Sequence, residues 1–381
     1  MAAKIASGEE SSFDSANNAG TKTTVIPTGP RKRGRPLKWT PSPDTSAQDP
    51  APVPIEPRLS SPGTLSQPSL PLNVDDLRLY HHYITVSSLT FGDDIMWCDK
   101  VPRLAFDNHY VLHLMLALSA LHLARVRAIE AIKYEQLAEQ HYSIALPHVT
   151  NLLPQIKREN CSALYIATVL ICNYAFAKPP KEGHLLVQNS GTETAWWNLF
   201  RGVRFVIETM GLPAIFSGPI GPFPPENTSN VPPPVGREGY LAWEKPLAEL
   251  RTMIHNSQSS GLPNLVEIYE ALVFCFGDVF GTAEHPQSIT HGKMHVVMRW
   301  LWFLEDDFTK QVEKLNPQVL VLLAYFSVLV QTLECFWYMR GWGYRILESI
   351  TEQLDPRYAA WISWPRDQIE LGCQNDLSSL Y

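Results

Sequence analysis

Two stretches of this chain are apolar around the whole circumference of a helix. They are residues 111–124 and 319–330, each built almost wholly from Leu, Val, Ala, Met and Phe. A helix apolar on every side must be enclosed, by other helices or by lipid. Neither stretch supplies the roughly 20 uninterrupted apolar residues that a bilayer requires. Gln331 and Glu334 follow directly after the second. Both are read as core helices, and no membrane span is expected. With 381 residues, 45% of them hydrophobic, the chain has the apolar material to enclose two such helices.

The periodicity of apolar residues predicts further helices at about 74–91, 130–157, 160–176, 193–210, 241–256, 264–281, 288–304 and 343–353. The two core runs extend to about 106–127 and 317–340. No segment alternates like a strand for long, so the expected fold is all-α, a packed helical array over residues 72–381. A long connection at 211–236 holds eight prolines and divides the array without having to divide the domain.

Residues 1–71 are of another kind. The first 70 carry 11 of the 31 prolines and only two aromatics, Phe13 and Trp39. Such a segment cannot bury enough apolar surface to offset its ordering entropy, and it is expected to be a disordered Pro/Ser-rich tail. Charge divides at the same place. The first 70 residues hold eight Lys/Arg against six Asp/Glu, and the remainder holds 23 against 32. An acidic body does not attract a phosphate backbone by its mean field, so any cations offered to DNA come from the tail or from a partner.

The tail concentrates those cations in residues 31–38: Arg31, Lys32, Arg33, Gly34, Arg35, Pro36, Leu37 and Lys38. Pro36 holds Arg35 extended. Gly34 lets the backbone approach a groove floor. Arg33 and Arg35 can then lie along a narrow A·T minor groove, leaving Arg31, Lys32 and Lys38 for phosphates. The Arg-Gly-Arg-Pro core with basic flanks resembles the AT-hook. The same run also fits a nuclear import signal, or a solvated charge run with no role. The first two readings both place the protein in the nucleus.

Catalytic signatures are missing from the sequence. It contains no phosphate loop, no His-Glu-x-x-His and no Gly-x-Ser-x-Gly. His109 and His113 stand four apart on one helix, but no third metal ligand is obviously placed, and no metal or cofactor is expected. Glu305, Asp306 and Asp307 read as a solvated helix end. The cysteines (Cys98, Cys161, Cys172, Cys275, Cys335 and Cys373) are far apart and mostly in apolar runs, which suits reduced, buried thiols of an intracellular protein. The N-terminus has no secretory pattern. The aromatic cluster at 336–344 is core, or it borders a pocket for an apolar ligand, with Phe336, Trp337, Trp342 and Tyr344 as candidate lining residues.

Two blocks carry a family resemblance. The first comprises His81-His82-Tyr83, Met96-Trp97, the run from Val101 to Phe106, and the run from Leu116 to Ala124. The second comprises the run from Leu322 to Leu329, then Glu334, Trp337, the run from Arg340 to Gly343, and Trp364-Pro365. Together they resemble the regulatory domain of fungal-specific transcription factors, in the group that includes the sterol uptake control regulators. The resemblance implies an all-helical regulatory domain that is not an enzyme, and in some members an apolar pocket for a lipid. It also implies work in transcription, on a secondary-metabolite or lipid-related gene set. The family usually opens with a six-cysteine zinc cluster. Here no cysteine precedes Cys98, and the hook-like peptide stands in that place. A homodimer or a DNA-binding partner protein would then share the recognition. The alternative is a helical ligand-binding or scaffold protein without DNA contact, its basic peptide serving import alone.

Overall fold

The first helix opens on Asn73, whose side-chain oxygen accepts a 2.9 Å hydrogen bond from the Asp76 amide. Asp75 and Asp76 in its first turn complement the helix dipole. The computed structural model describes residues 73–92, 95–178, 196–222, 241–256, 264–285 and 294–378. The tail, its basic peptide at 31–38 and the connection from 223 to 236 lie outside the described residues.

The helices in chain order are α1 (Val74–His82), α2 (Val101–Asp107), α3 (His109–Val126), α4 (Ala131–Leu152) and α5 (Cys161–Ala177). There follow α6 (Phe200–Met210), α7 (Leu212–Ile215), α8 (Glu244–Asn256), α9 (Leu265–Phe280) and α10 (Met294–Arg299). The last are α11 (Asp306–Glu313), α12 (Pro317–Gln331), α13 (Trp342–Gln353) and α14 (Ser363–Ser378). Among the described residues there is no strand, and the fold is an all-α packed array.

Each all-apolar helix is the axis around which its neighbours pack. Every residue of α3 from Val111 to Ala124 is buried. It is wrapped by α1, α2, α4 and α5. In α4 the buried residues are Tyr134, Ala138, His141, Ala145 and Val149, a single stripe at helical spacing that lies against α3. In α12 the residues from Gln318 to Val330 are all buried, beneath α9, α11, α13 and α14. Among the described residues α3 alone is long and apolar enough to cross a membrane, yet 83% of it is buried inside the protein. That is the signature of a core helix.

The structure adds to the predicted elements. The helix predicted at 74–91 is α1, then a π-helical turn (Tyr83–Ser87) and a 3-10 turn (Ser88–Thr90). A second π-helical turn (Ile95–Lys100) leads into α2, which the sequence reading missed because Pro102 falls there; proline is tolerated in a first turn. The carboxylates Asp306 and Asp307 form the first turn of α11, where they favour the helix dipole. The helix predicted at 317–340 stops at Gln331, and a 3-10 turn (Trp337–Met339) follows. α14 was also missed.

α13 can approach α12 closely because residue 343 is glycine. A Cβ there would lie 2.6 Å from Gln331 Oε1 and 2.9 Å from the Ser327 carbonyl oxygen. The second of these is backbone and cannot swing away. Gly343→Ala is therefore expected to destabilise the protein. Overpacking costs about 1–3 kcal/mol and outweighs the ~1 kcal/mol that alanine contributes in helix propensity. Urea unfolding of the full chain, followed by far-UV circular dichroism, would show a lower midpoint.

Candidate functional site

The densest gathering of polar and aromatic groups in the described body lies on α3, where α1 and the segment after α12 meet it. His122 of α3 is buried, and its Nδ1 is 3.2 Å from His82 Nε2 and 3.2 Å from Ser87 Oγ. The π-helical turn makes this possible. Its extra residue per turn brings His82 and Ser87 onto the same side of the chain, and such turns recur at functional sites. On the other face, the His122 ring stacks on Trp337, with centroids 4.7 Å apart and planes at 19°.

Arg125, one turn further along α3, completes the joint. Its guanidinium donates to the Trp337 carbonyl at 2.5 Å and to the Ala177 carbonyl at 3.0 Å. It also lies over the Trp337 ring, 5.3 Å from the centroid. The neighbouring carbonyl of Phe176 accepts from Trp342 Nε1 at 2.9 Å, and the two rings meet edge to face. The last two carbonyls of α5 are thus satisfied by side chains from α3 and α13. A helix end buried without such donors would be costly.

A second histidine pair lies further back on α3. His113 Nδ1 is 2.8 Å from His141 Nδ1, so one nitrogen donates and the other accepts. His141 Nε2 faces Asp76 Oδ1 at 3.5 Å. The structure pairs His113 with His141 of α4, not with its sequence neighbour His109. Among the described residues no group of three or more His, Cys, Asp or Glu is placed to hold a metal ion.

The two buried histidines of α3, His113 and His122, are held neutral. Burial pushes His113 down to about 4, helped by His141, His109 and His148. Burial likewise pushes His122 down to about 4, helped by His82, Arg125 and Arg340. Burial lowers His82 too, with Arg127 and His81 acting in the same direction.

The four aromatic residues nominated from sequence divide. Phe336, Trp337 and Trp342 are buried. Tyr344 is 47% exposed and donates to Glu348 Oε1 at 3.2 Å, away from the other three. An apolar cavity of about 440 Å³ lies elsewhere, between α9 and α10, lined by Phe274, Cys275, Arg299 and Phe303 among others. A charged cleft of about 510 Å³ runs between α6 and α11, lined by Arg201, Arg204, Glu208, Asp306 and Lys310. His82 and His122 lie in the stretches that carry the family resemblance, but neither they nor Ser87 and Arg125 were read as site residues. Their contacts span 35 to 215 positions, so spacing gives no sign of the site.

Residues 78–232 match a family model described as the fungal specific transcription factor domain. The match covers less than half of the chain, and this segment is similar to a fungal specific transcription factor domain. It runs from α1 through α7 and contains the α3 side of the joint, while Trp337 and Trp342 lie beyond it. The chain is also similar to sterol uptake control protein 2 of Saccharomyces cerevisiae, 30% identical over 143 residues, which is 36% of this chain and 15% of that protein. The protein of the same name from Candida albicans is 33% identical over 124 residues, 31% of this chain and 16% of the relative. The chain thus spans about 15–16% of the length of the curated relatives it matches. Both comparisons are with regulators: the matched model describes a transcription factor domain, and the relatives are named as control proteins.

The buried histidines make stability depend on pH. Their folded pKa lies below the ordinary 6.5, so folding favours the neutral ring. That stabilisation is fully present above about pH 6.5 and is lost as pH falls towards 4. Each ring accounts for up to about 3 kcal/mol, at about 1.4 kcal/mol per pKa unit. Urea midpoints of the full chain should fall steeply between pH 7 and pH 5. His113→Asn should flatten that slope while lowering the midpoint at pH 7.

Proposed function

We propose that this protein is a nuclear transcriptional regulator that contacts DNA through its N-terminal basic peptide and receives its signal through the helical body. The observation that carries this reading is the fungal specific transcription factor domain over residues 78–232, in one chain with an Arg-Gly-Arg-Pro core at 33–36. Arg33 and Arg35 would enter an A·T-rich minor groove, with Gly34 and Pro36 setting the backbone and Arg31, Lys32 and Lys38 on phosphates. An acidic body opposes non-specific adhesion and leaves the contact to the tail. The helical body would bind an apolar small molecule or a partner, a homodimer mate or a DNA-binding protein. The names of the relatives favour a lipid-related gene set, and a secondary-metabolite gene set is the other target class.

The acidic body favours one competing reading, in which the peptide directs nuclear import and DNA recognition belongs to a partner. Fluorescence anisotropy of the full chain on A·T-rich and G·C-rich duplexes separates the two. A tail that uses about five cations should give a log–log salt slope of about −4 to −5. The A·T preference should vanish in the Arg33→Ala/Arg35→Ala double variant. Undiminished A·T binding by that variant would remove the tail from the contact, and no binding by either protein would leave the import reading.

A further inference from the structure

The joint at His122 has a property that DNA binding and ligand sensing do not use. One imidazole on α3 holds three pieces of chain together: α1 through His82, the π-helical turn through Ser87, and the turn after α12 through Trp337. The polar hold on Trp337 comes from α3. Its indole Nε1 is buried and has no hydrogen-bond partner, so α3 keeps it in place through the stacked His122 ring, the Arg125 guanidinium and the bond from Arg125 to its carbonyl. One face rests on the neutral His122 ring and Arg125 lies over the indole.

The surroundings are cationic. From the α1 side come His81 and His82, and Arg127 acts on His82 from just beyond α3. Arg125 shares α3 with His122, and Arg340 approaches from the segment that carries Trp337. Arg345 of α13 stands behind Arg125. Glu334 is the nearest acidic residue on that segment, and its carboxylate is bonded to the Gly341 amide at 2.8 Å. A proton added to His122 therefore enters a ring of positive charge with no carboxylate bonded to it. The cationic ring can regain its hydration only by leaving the indole.

We infer that the His82–His122–Trp337 contact is a proton-operated latch. When the imidazoles are neutral, the turn 336–341 is fastened to α3. When they are protonated, the turn is released while the two core helices stay folded. The latch couples the fungal specific transcription factor segment to the residues that follow α12, because His122 belongs to the first and Trp337 to the second. The latch does not depend on the DNA-binding reading and would operate whether or not the tail touches DNA.

The size of the effect follows from linkage. With His122 at about 4 in the closed state and at the ordinary 6.5 when released, lowering the pH from 7 to 5 shifts the closed–open balance by about twentyfold. Hydrogen–deuterium exchange of the full chain reads this directly, once rates are corrected for the intrinsic effect of pH. Protection of amides 336–341 should fall by roughly ten- to twentyfold between pH 7 and pH 5 and stay well below that of amides 319–330 of α12, which exchange only through global unfolding. His122→Phe retains a stacking face and cannot take a proton, so its turn should stay protected at both pH values. His82→Gln removes a neighbouring charge that holds the His122 pKa down and should make the fall shallower. If the turn is protected as strongly as α12 at both pH values, it opens only with the whole body and there is no latch. An unchanged turn at pH 5, or an equal fall in His122→Phe, also overturns the proposal. Should His122→Phe fail to fold, the comparison of turn with α12 in the wild-type chain still decides.

Discussion

The enclosure of α3 is the constraint on which the rest of the described body depends. Fourteen successive buried residues leave this helix no face for water. Four other helices must therefore pack around it, and each must present an apolar stripe at the right height. α4 does so with its five-residue stripe, and α1 and α2 close the remaining side. The two buried imidazoles of α3 are then committed, because a buried polar atom without a partner is expensive. His113 and His122 each find a second histidine. The contact points of the body are thus set by where α3 places its few nitrogen atoms.

The same logic explains what the sequence could and could not reveal. Helical periodicity and length identified α3, α12 and the stripe of α4, because each is a local pattern of apolar residues. α2 and α14 were missed because their prolines read as breaks, although proline fits a helix that is just starting. The π-helical turns have no local signature, and they are what turn His82 and Ser87 inward. His141 was the one visible sign of the pairing. It occupies a core position of an amphipathic stripe, and a titratable residue there needs a partner across the helix interface. Trp337 was singled out from aromatic density alone, yet its nearest ring belongs to a residue 215 positions earlier, which no linear pattern connects. The basic peptide at 31–38 was legible in the opposite way, from local chemistry in a segment beyond the described residues.

Electrostatics divides the labour further. The excess of Asp and Glu in the body gives it a mean field that repels phosphate. Within the body the positive charges gather around the aromatic turn, where Arg125, Arg340 and Arg345 converge. Burial is the main reason the His122 imidazole stays neutral, and Arg125 and Arg340 add to the cost of a further proton.

The end of α5 carries a consequence for how the chain can be divided. Its last two carbonyls, Phe176 and Ala177, are capped by Trp342 and by an Arg125 that is itself tethered to the Trp337 carbonyl. A fragment cut at residue 232 would keep every helix of the matched segment but would strip one of those caps away and leave the indole face of α3 bare. The boundary drawn by ancestry is therefore not a boundary of folding. Evolution can recognise the first half of this body by itself, but water cannot be kept from it without the second.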